Sequence, residues 1–282
     1  MQPTDEPAPP DRMPAGRSPA LLRLTLGLAL TPTLVGLASA LAPGIRLSEL
    51  GASVAAFAGA TLVPILALAI SAKARVPLRA TLAVLTVAAT TLVIVALSRP
   101  RPIPAMLLVD GALVALAWAI GASIGQRIQH VAHLLPACIV AASADIVSSL
   151  SPEGPTHAIA GSDRALSIAA VWFPVQGTHA VSPALGAGDL LFMALLFGAA
   201  AVHGLPYART VALALLGTAL AGLAAAWLGV AVPALVPIAA AVVLGLPAVR
   251  QLRPVDRSAA RWSMAIASAL VLAVLTRKFL VR

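Results

Sequence analysis

Three aspartates stand inside long apolar stretches of the sequence: Asp110, Asp145 and Asp189. A carboxylate inside a membrane span loses its hydration, so an acid kept there marks a candidate functional site and needs a partner. Asp189 directly follows two glycines, Gly186 and Gly188, which lack a Cβ and so let another backbone approach closely. We therefore expect a second acid beside Asp189.

Asp145 is the best-placed partner. It lies near the end of one apolar stretch, and Asp189 lies near the start of the next. Because consecutive spans run antiparallel, both acids are expected at the same membrane face, roughly 8–10 Å deep at 1.5 Å per residue. Two facing carboxyls cannot both be charged cheaply, so they would share one proton. One could deprotonate a water while the protonated partner polarises a peptide carbonyl, as an aspartyl hydrolase requires.

Intramembrane acids also serve other purposes. The same three aspartates could bind protons or cations between proline-broken helices, which is the pattern of a proton- or cation-coupled transporter. Each could also be a buried polar tie between helices. Asp110 is expected either to support the pair or to be unrelated to it.

The composition indicates a polytopic, all-α transmembrane bundle. The 282 residues are 60% hydrophobic and 10% charged, with a mean hydropathy of +0.97, and apolar runs recur almost end to end. The net charge of +9 comes from arginines in short loops, which is the positive-inside pattern and argues against a nucleic-acid partner. The single cysteine, Cys138, excludes a disulfide framework. His130 and His133 make a poor zinc set, so we expect no metal and no cofactor.

Four regions follow from the pattern. Residues 1–18 are predicted to be a disordered Pro-rich tail, 19–125 the N-terminal spans, 126–249 the spans with the candidate site, and 250–282 a basic loop and final helix. The nine predicted spans are approximately Ala20–Ala42, Leu50–Ser71, Arg79–Ser98, Pro104–Gly125, Arg127–Leu150, Ala184–Val202, Ala208–Gly229, Ala231–Val249 and Trp262–Leu280.

The connection Ser151–Ser182 is the longest between spans. Within it, Ala165–Val175 is apolar and rich in β-branched and aromatic residues, which fits either a short strand or hairpin or a loop dipping into the interface. The excess of basic residues on the side of the N-terminus favours a cytoplasmic N-terminus. We expect a multi-pass protein of a prokaryotic inner (plasma) membrane.

The motifs resemble those of presenilin and signal peptide peptidase, the intramembrane aspartyl proteases. Gly186-Ala187-Gly188-Asp189 matches their Gly-x-Gly-Asp motif, and Asp145 precedes Pro152-Glu153-Gly154-Pro155, similar to the Pro-Lys-Gly-Pro of presenilin. Pro233-Ala234-Leu235 matches their Pro-Ala-Leu motif. Trp172, Phe173, Pro174 and Val175 resemble the strand region to which these enzymes add their substrate.

The resemblance implies an endopeptidase whose catalytic residues are Asp145 and Asp189, with the glycines, the Pro-Ala-Leu and the strand region binding substrate. Its partners would be transmembrane or signal-peptide helices, which must unwind before hydrolysis because all their backbone bonds are satisfied internally. The chain departs from the family at Ala144, where tyrosine is usual, at Glu153, and in having four rather than five spans before Asp145. A catalytically inactive, helix-binding homologue is a further reading.

Overall fold

The computed structural model describes residues 19–45, 47–98, 103–151, 153–228 and 232–280. The predicted tail 1–18 and Pro152 lie outside the described residues, as do several arginines that the orientation argument counted. The helices are α1 (Pro19–Leu41), α2 (Glu49–Ser71), α3 (Leu78–Leu97), α4 (Ile103–Ala117), α5 (Ser123–Arg127), α6 (Leu134–Leu150), α7 (Pro155–Ala160), α8 (Asp163–Ala169), α9 (Ala187–His203), α10 (Tyr207–Leu228), α11 (Leu235–Gly245) and α12 (Arg257–Leu280). A two-stranded antiparallel sheet joins β1 (Ala170–Pro174) to β2 (Val181–Gly186).

The described residues include six helices that are long and apolar enough to cross a membrane, so the chain is an all-α, multi-pass membrane protein. They are Pro19–Gly44, Glu49–Ser71, Leu78–Leu97, Ala105–Arg127, Val131–Leu150 and Tyr207–Leu228. The fourth of these is continuous because a π-helical turn, Trp118–Ala122, connects α4 to α5. Two more apolar helices, α9 and α11, are shorter.

The short helices correct two predicted spans. The span predicted from Ala184 begins three residues later, at Ala187, because Ala184–Gly186 belong to β2. The span predicted over Ala231–Val249 contains a helix of only 11 residues. Pro233 precedes that helix and Pro247 begins a separate 3-10 turn after it, and proline neither donates a backbone hydrogen bond nor continues a helix. The last predicted span lies within α12, which is not among the six long apolar helices.

Only part of the predicted strand region is a strand in the structure. Residues Ala165–Ala169 belong to α8, whose first turn is capped by the Ser162 hydroxyl accepting from the Ala165 amide, and only Ala170–Pro174 are extended. The connection therefore holds two short helices and a strand rather than a loop. In the sheet, Trp172 pairs with Pro183 and Val171 with Leu185, so the ladder contains a bulge at this point. β1 is mostly buried and β2 is the more exposed strand.

α9 is the central helix. Nine of its 17 residues are buried. It packs mainly against the π-helical turn Trp118–Ala122 and α5, where Gly121, Gly125 and Gly198 let the backbones meet. A Cβ on Gly125 would lie 2.1 Å from the Leu195 carbonyl oxygen. Gly121 and Gly125 form the small-xxx-small spacing that brings membrane helices close together. α9 ends at Gly204, whose φ of 64° is left-handed, followed by Pro206.

Candidate functional site

Asp189 occupies the first turn of α9. Its Oδ2 accepts a hydrogen bond from the Gly186 amide at 3.1 Å, so the carboxyl satisfies a backbone donor at the helix N-terminus. The side chain is partly buried, and Gly188 beside it is exposed with no atom within 4 Å of where a Cβ would stand. There is therefore open space next to the carboxyl, which is what a site for a second chain requires.

Asp145 lies in the last two turns of α6. Its Oδ2 accepts from the Leu235 amide at 2.8 Å, and its Oδ1 is 3.5 Å from the Ser149 hydroxyl, which is a weak contact. Leu235 is the first residue of α11 and the last residue of the Pro-Ala-Leu motif. The structure thus places that motif directly on the first predicted catalytic acid, although 90 residues separate them in sequence.

Asp110 lies in α4 and is completely buried. Its Oδ1 accepts from the Trp172 amide at 2.9 Å, and its Oδ2 has no hydrogen-bond partner among the described residues. Trp172 lies in the middle of β1, so the third membrane acid holds the strand in place. From the sequence, Asp110 is expected either to support the pair or to be unrelated to it, and its contact with β1 is not predicted. The general rule that a buried acid needs a donor is the signal that could have indicated this contact.

The three acids share one arrangement: each uses one oxygen to bind one backbone amide of a motif. They differ in accessibility, because Asp110 is sealed while Asp145 and Asp189 are partly exposed. The charges of Asp145 and Asp189 also interact with each other. Neither carboxyl forms an ion pair with any residue that the structure describes.

The two helices that carry the candidate catalytic acids pack mainly against other elements. α6 packs chiefly against α11 and α12, and α9 packs chiefly against the π-helical turn Trp118–Ala122 and α5. Each carboxyl lies near a helix end. Asp189 lies at the start of α9, and Asp145 lies near the end of α6, where it is bonded to the start of α11.

The predicted substrate-binding residues separate into two groups. Gly186, Gly188, Trp172, Pro233 and Ala234 are at least partly exposed, whereas the side chains of Phe173, Pro174 and Leu235 are buried. The Phe173 ring lies against Gly59 of α2, where a Cβ would clash with it, and so anchors β1 to the bundle. Val175 is partly buried, and its amide donates to the Ala180 carbonyl at 2.9 Å in the turn between the strands.

The segment after Asp145 folds back onto its own helix. The Ser148 hydroxyl contacts the Thr156 hydroxyl at 2.7 Å and accepts from the Thr156 amide at 3.1 Å. A Cβ on Gly154 would lie 2.1 Å from the Ser148 carbonyl oxygen, so only glycine permits this approach. These contacts fix the end of α6 that carries Asp145.

We find no candidate metal site among the residues that the structure describes. Within the described part of the chain, no three histidine, cysteine or acidic side chains come together as metal ligands would. The donors around Asp145 and Asp189 are backbone amides and one serine hydroxyl. Such a site can orient carboxyls and bind water.

Comparisons with known proteins were made at three levels. No family model matches the chain, no curated protein matches it, and no solved structure matches it.

Proposed function

We propose that the chain is an intramembrane aspartyl protease in which Asp145 and Asp189 form the catalytic pair. The observation that carries this proposal is the exposure, the hydrogen bonding and the proximity of the two carboxyls. Both are partly exposed, each has one oxygen fixed by a backbone amide, and the two residues lie close enough together for one carboxyl to affect the other. The resemblance of the Gly-x-Gly-Asp and Pro-Ala-Leu motifs to presenilin-like proteases supports the same conclusion.

The chemistry follows from this arrangement. Two carboxyls that repel each other favour the state in which one proton is shared between them. The ionised member takes a proton from a water, whose oxygen attacks the peptide carbonyl, while the protonated member donates to the carbonyl oxygen. The carboxyl that took the proton from water then gives it to the amide nitrogen, and a hydroxyl of the tetrahedral intermediate returns a proton to the other carboxylate as the C–N bond breaks, which restores the shared proton. The bonds from the Gly186 and Leu235 amides hold the carboxyls in fixed orientations for these steps.

The substrate would be a transmembrane or signal-peptide helix that unwinds near the site. Its extended backbone would pair with a strand edge, which satisfies the freed amides and carbonyls. β2 is the better edge, because it is the more exposed strand and because the Trp172 amide of β1 is already bonded to Asp110. The exposed Ser182 and Pro183 lie on β2, which leads through Gly186 directly to Asp189.

In this proposal the chain spans the membrane nine times, with α9, α11 and α12 completing the six long helices. It lies in a prokaryotic inner membrane with its N-terminus in the cytoplasm, so the site opens toward the outer face. Cysteine-accessibility mapping of residues 151–182 tests the orientation. Labelling from the cytoplasmic side alone would reverse it.

The decisive experiment is cleavage of a reporter transmembrane helix by the purified chain in liposomes. Asp145→Asn and Asp189→Asn each remove one titrating carboxyl with little change in shape, and each should lower the rate at least ~10³-fold, which is in the range that acid–base catalysis contributes. Glu49→Gln is the matched control, because Glu49 is an exposed acid in the first turn of α2, and it should retain full activity. Retained cleavage in either aspartate variant would exclude the pair.

The same preparation separates the other readings. Substrate-dependent proton flux without proteolysis would identify a transporter. The relevant feature is the buried Oδ2 of Asp110, which has no hydrogen-bond partner among the residues that the structure describes. Tight binding of the reporter helix that no condition converts into cleavage would identify an inactive helix-binding protein. Cleavage blocked by aspartyl-protease transition-state analogues supports the proposal.

A further inference from the structure

Two adjoining cavities lie at the end of α9 that is opposite to Asp189. The larger, of about 520 Å³, lies between α1, α2 and α10, and the smaller, of about 320 Å³, reaches the end of α9 at Gly204. They share three lining residues, Arg23, Lys73 and Tyr207, so they form one connected depression in the surface. We refer to it as the basic groove.

Cations converge on the basic groove without acids to balance them. Arg23, Lys73 and Arg75 line it and are exposed, and no acidic side chain among the described residues lines either cavity. None of the three forms an ion pair with any acid that the structure describes. Three positive charges held together repel one another, so an anion bound among them would be stabilised.

The loop that carries Lys73 and Arg75 is fixed in place. The Trp118 indole donates to the Ser71 carbonyl at 2.9 Å, and the Gln126 amide donates to the carbonyls of Ala72 and Ala74 at 2.9 and 3.2 Å. Side chains from the α4–α5 helix therefore satisfy the carbonyls of this turn from below. The two cations are presented from a supported backbone, so little ordering entropy is lost when they bind an anion.

Tyr207 joins the polar and apolar parts of the groove. Its hydroxyl donates to the Ala69 carbonyl, and Lys73 Nζ lies 4.1 Å from the centre of its ring. Below the ring, the larger cavity continues between α2 and α10 along Leu66, Ile70, Val211 and Leu215. A charged head next to an elongated apolar slot matches an amphiphile with one anionic end.

We propose that the basic groove binds an anionic phospholipid, with its phosphate among Arg23, Lys73 and Arg75 and one acyl chain along α2 and α10. Basic pockets between membrane helices recognise anionic head groups through this combination of charge and apolar surface. A zwitterionic phospholipid would bring its own cation into the cluster and bind less well. This inference is independent of the proposed protease chemistry.

The test uses the purified full-length chain in detergent, offered equal amounts of phosphatidylglycerol and phosphatidylcholine with identical acyl chains. Native mass spectrometry counts the lipid that stays bound. The wild-type chain should retain phosphatidylglycerol preferentially. The variant R23Q/K73Q/R75Q should lose on the order of a hundredfold in affinity, since each cation near a lipid phosphate contributes a factor of roughly five.

The matched control is R250Q/R257Q/R261Q, which removes three exposed arginines that do not line the groove. It should keep the lipid preference, and an equal loss would show that net charge alone is responsible and overturn the proposal. Equal retention of the two lipids by the wild-type chain would overturn it as well.

A second variant tests the acyl slot without changing charge. Ala212 is exposed on the wall of the larger cavity, and A212F should weaken phosphatidylglycerol binding at least about tenfold by filling the slot. Inorganic phosphate at millimolar concentration should not displace the lipid. Displacement by phosphate, or unchanged lipid binding in A212F, would indicate a site for small anions and contradict the lipid assignment.

Discussion

The two ends of α9 carry opposite charge and different kinds of backbone. At its start, Asp189 lies beside the strand pair and near Asp145, and no cation pairs with either acid among the described residues. At its end, roughly 21 Å away at 1.5 Å per residue, lie the three cations of the basic groove. Asp145 and Asp189 lie near helix ends, whereas Lys73 and Arg75 lie in the tight turn between α2 and α3 and Arg23 lies near the start of α1.

This difference has a physical reason. An acid held inside a membrane protein needs backbone donors that are not already used in a helix, and only broken helices and strand edges provide them. Asp110, Asp145 and Asp189 each take one such amide. Lysine and arginine at a membrane face need no such donors, because their long side chains reach water or lipid phosphate.

The largest effect is expected when the middle of α9 is displaced, because both ends then move. Gly125→Ala places a Cβ 2.1 Å from the Leu195 carbonyl oxygen, and backbone on both sides cannot yield as a flexible side chain would. We expect a loss of about 3 kcal/mol in the free energy of unfolding, at the upper end of the cost of overpacking. The thermal unfolding midpoint in detergent measures it.

Gly188→Ala, in α9 itself, is the matched control. A Cβ there meets no atom within 4 Å, so stability should be unchanged or should rise by up to about 1 kcal/mol from better helix propensity. If the Gly125→Ala and Gly188→Ala variants unfold at the same temperature, α5 and α9 do not pack as closely as described.

A smaller effect, confined to the Asp189 end, is expected from Asp110→Ala. The variant leaves the Trp172 amide without its acceptor, at a cost of about 1–3 kcal/mol for a buried donor. β1 should open more often, so hydrogen exchange at the Trp172 amide should accelerate by at least about fivefold while lipid binding in the basic groove is unchanged. Unaltered exchange in the strand pair would show that Asp110 does not hold β1.

The smallest effect concerns the opposite end, where Asp256 joins the turn before α12 to α6. Its carboxylate accepts from Arg253 at 2.7 Å and contacts the His133 ring at 3.1 Å, and these hydrogen bonds lower the pKa of Asp256 to about 2. Because the pKa is lower in the folded chain than the ordinary value near 3.8, the stabilisation is complete above pH 4 and is lost as the pH falls toward 2.

Asp256→Asn should therefore unfold at a slightly lower temperature than the wild-type chain at pH 7, and the two midpoints should converge as the pH approaches 2. Reporter cleavage at neutral pH should be unaffected. A difference between the midpoints that stays constant from pH 7 to pH 2 would contradict the role of this carboxylate.

The sequence predicts the helical membrane class well. The lipid bilayer requires every spanning segment to be apolar, so each span is visible as an apolar run in the sequence. It predicts helix ends poorly. Pro233 and Gly186 are visible as helix interruptions, but the sequence alone does not reveal that α11 has only 11 residues or that Ala184 belongs to a strand. Those boundaries depend on contacts with distant segments, such as Phe173 against Gly59.

For the candidate site, the sequence identifies the acids but not their donors. The bond from Leu235 to Asp145 and the bond from Trp172 to Asp110 join residues 90 and 62 positions apart. No local pattern encodes such pairs. The Gly121-xxx-Gly125 spacing, by contrast, was available in the sequence as a signal that another helix packs there.

Pro183 in the outer strand has a consequence for how copies of the chain behave in a crowded bilayer. A bare strand edge invites the same edge of a neighbouring molecule, which is how aggregates begin. Proline removes one donor from that edge, so two such edges brought together would leave a carbonyl unsatisfied in a medium without water to compensate. Pro183 therefore disfavours pairing between the β2 edges of two copies of the chain.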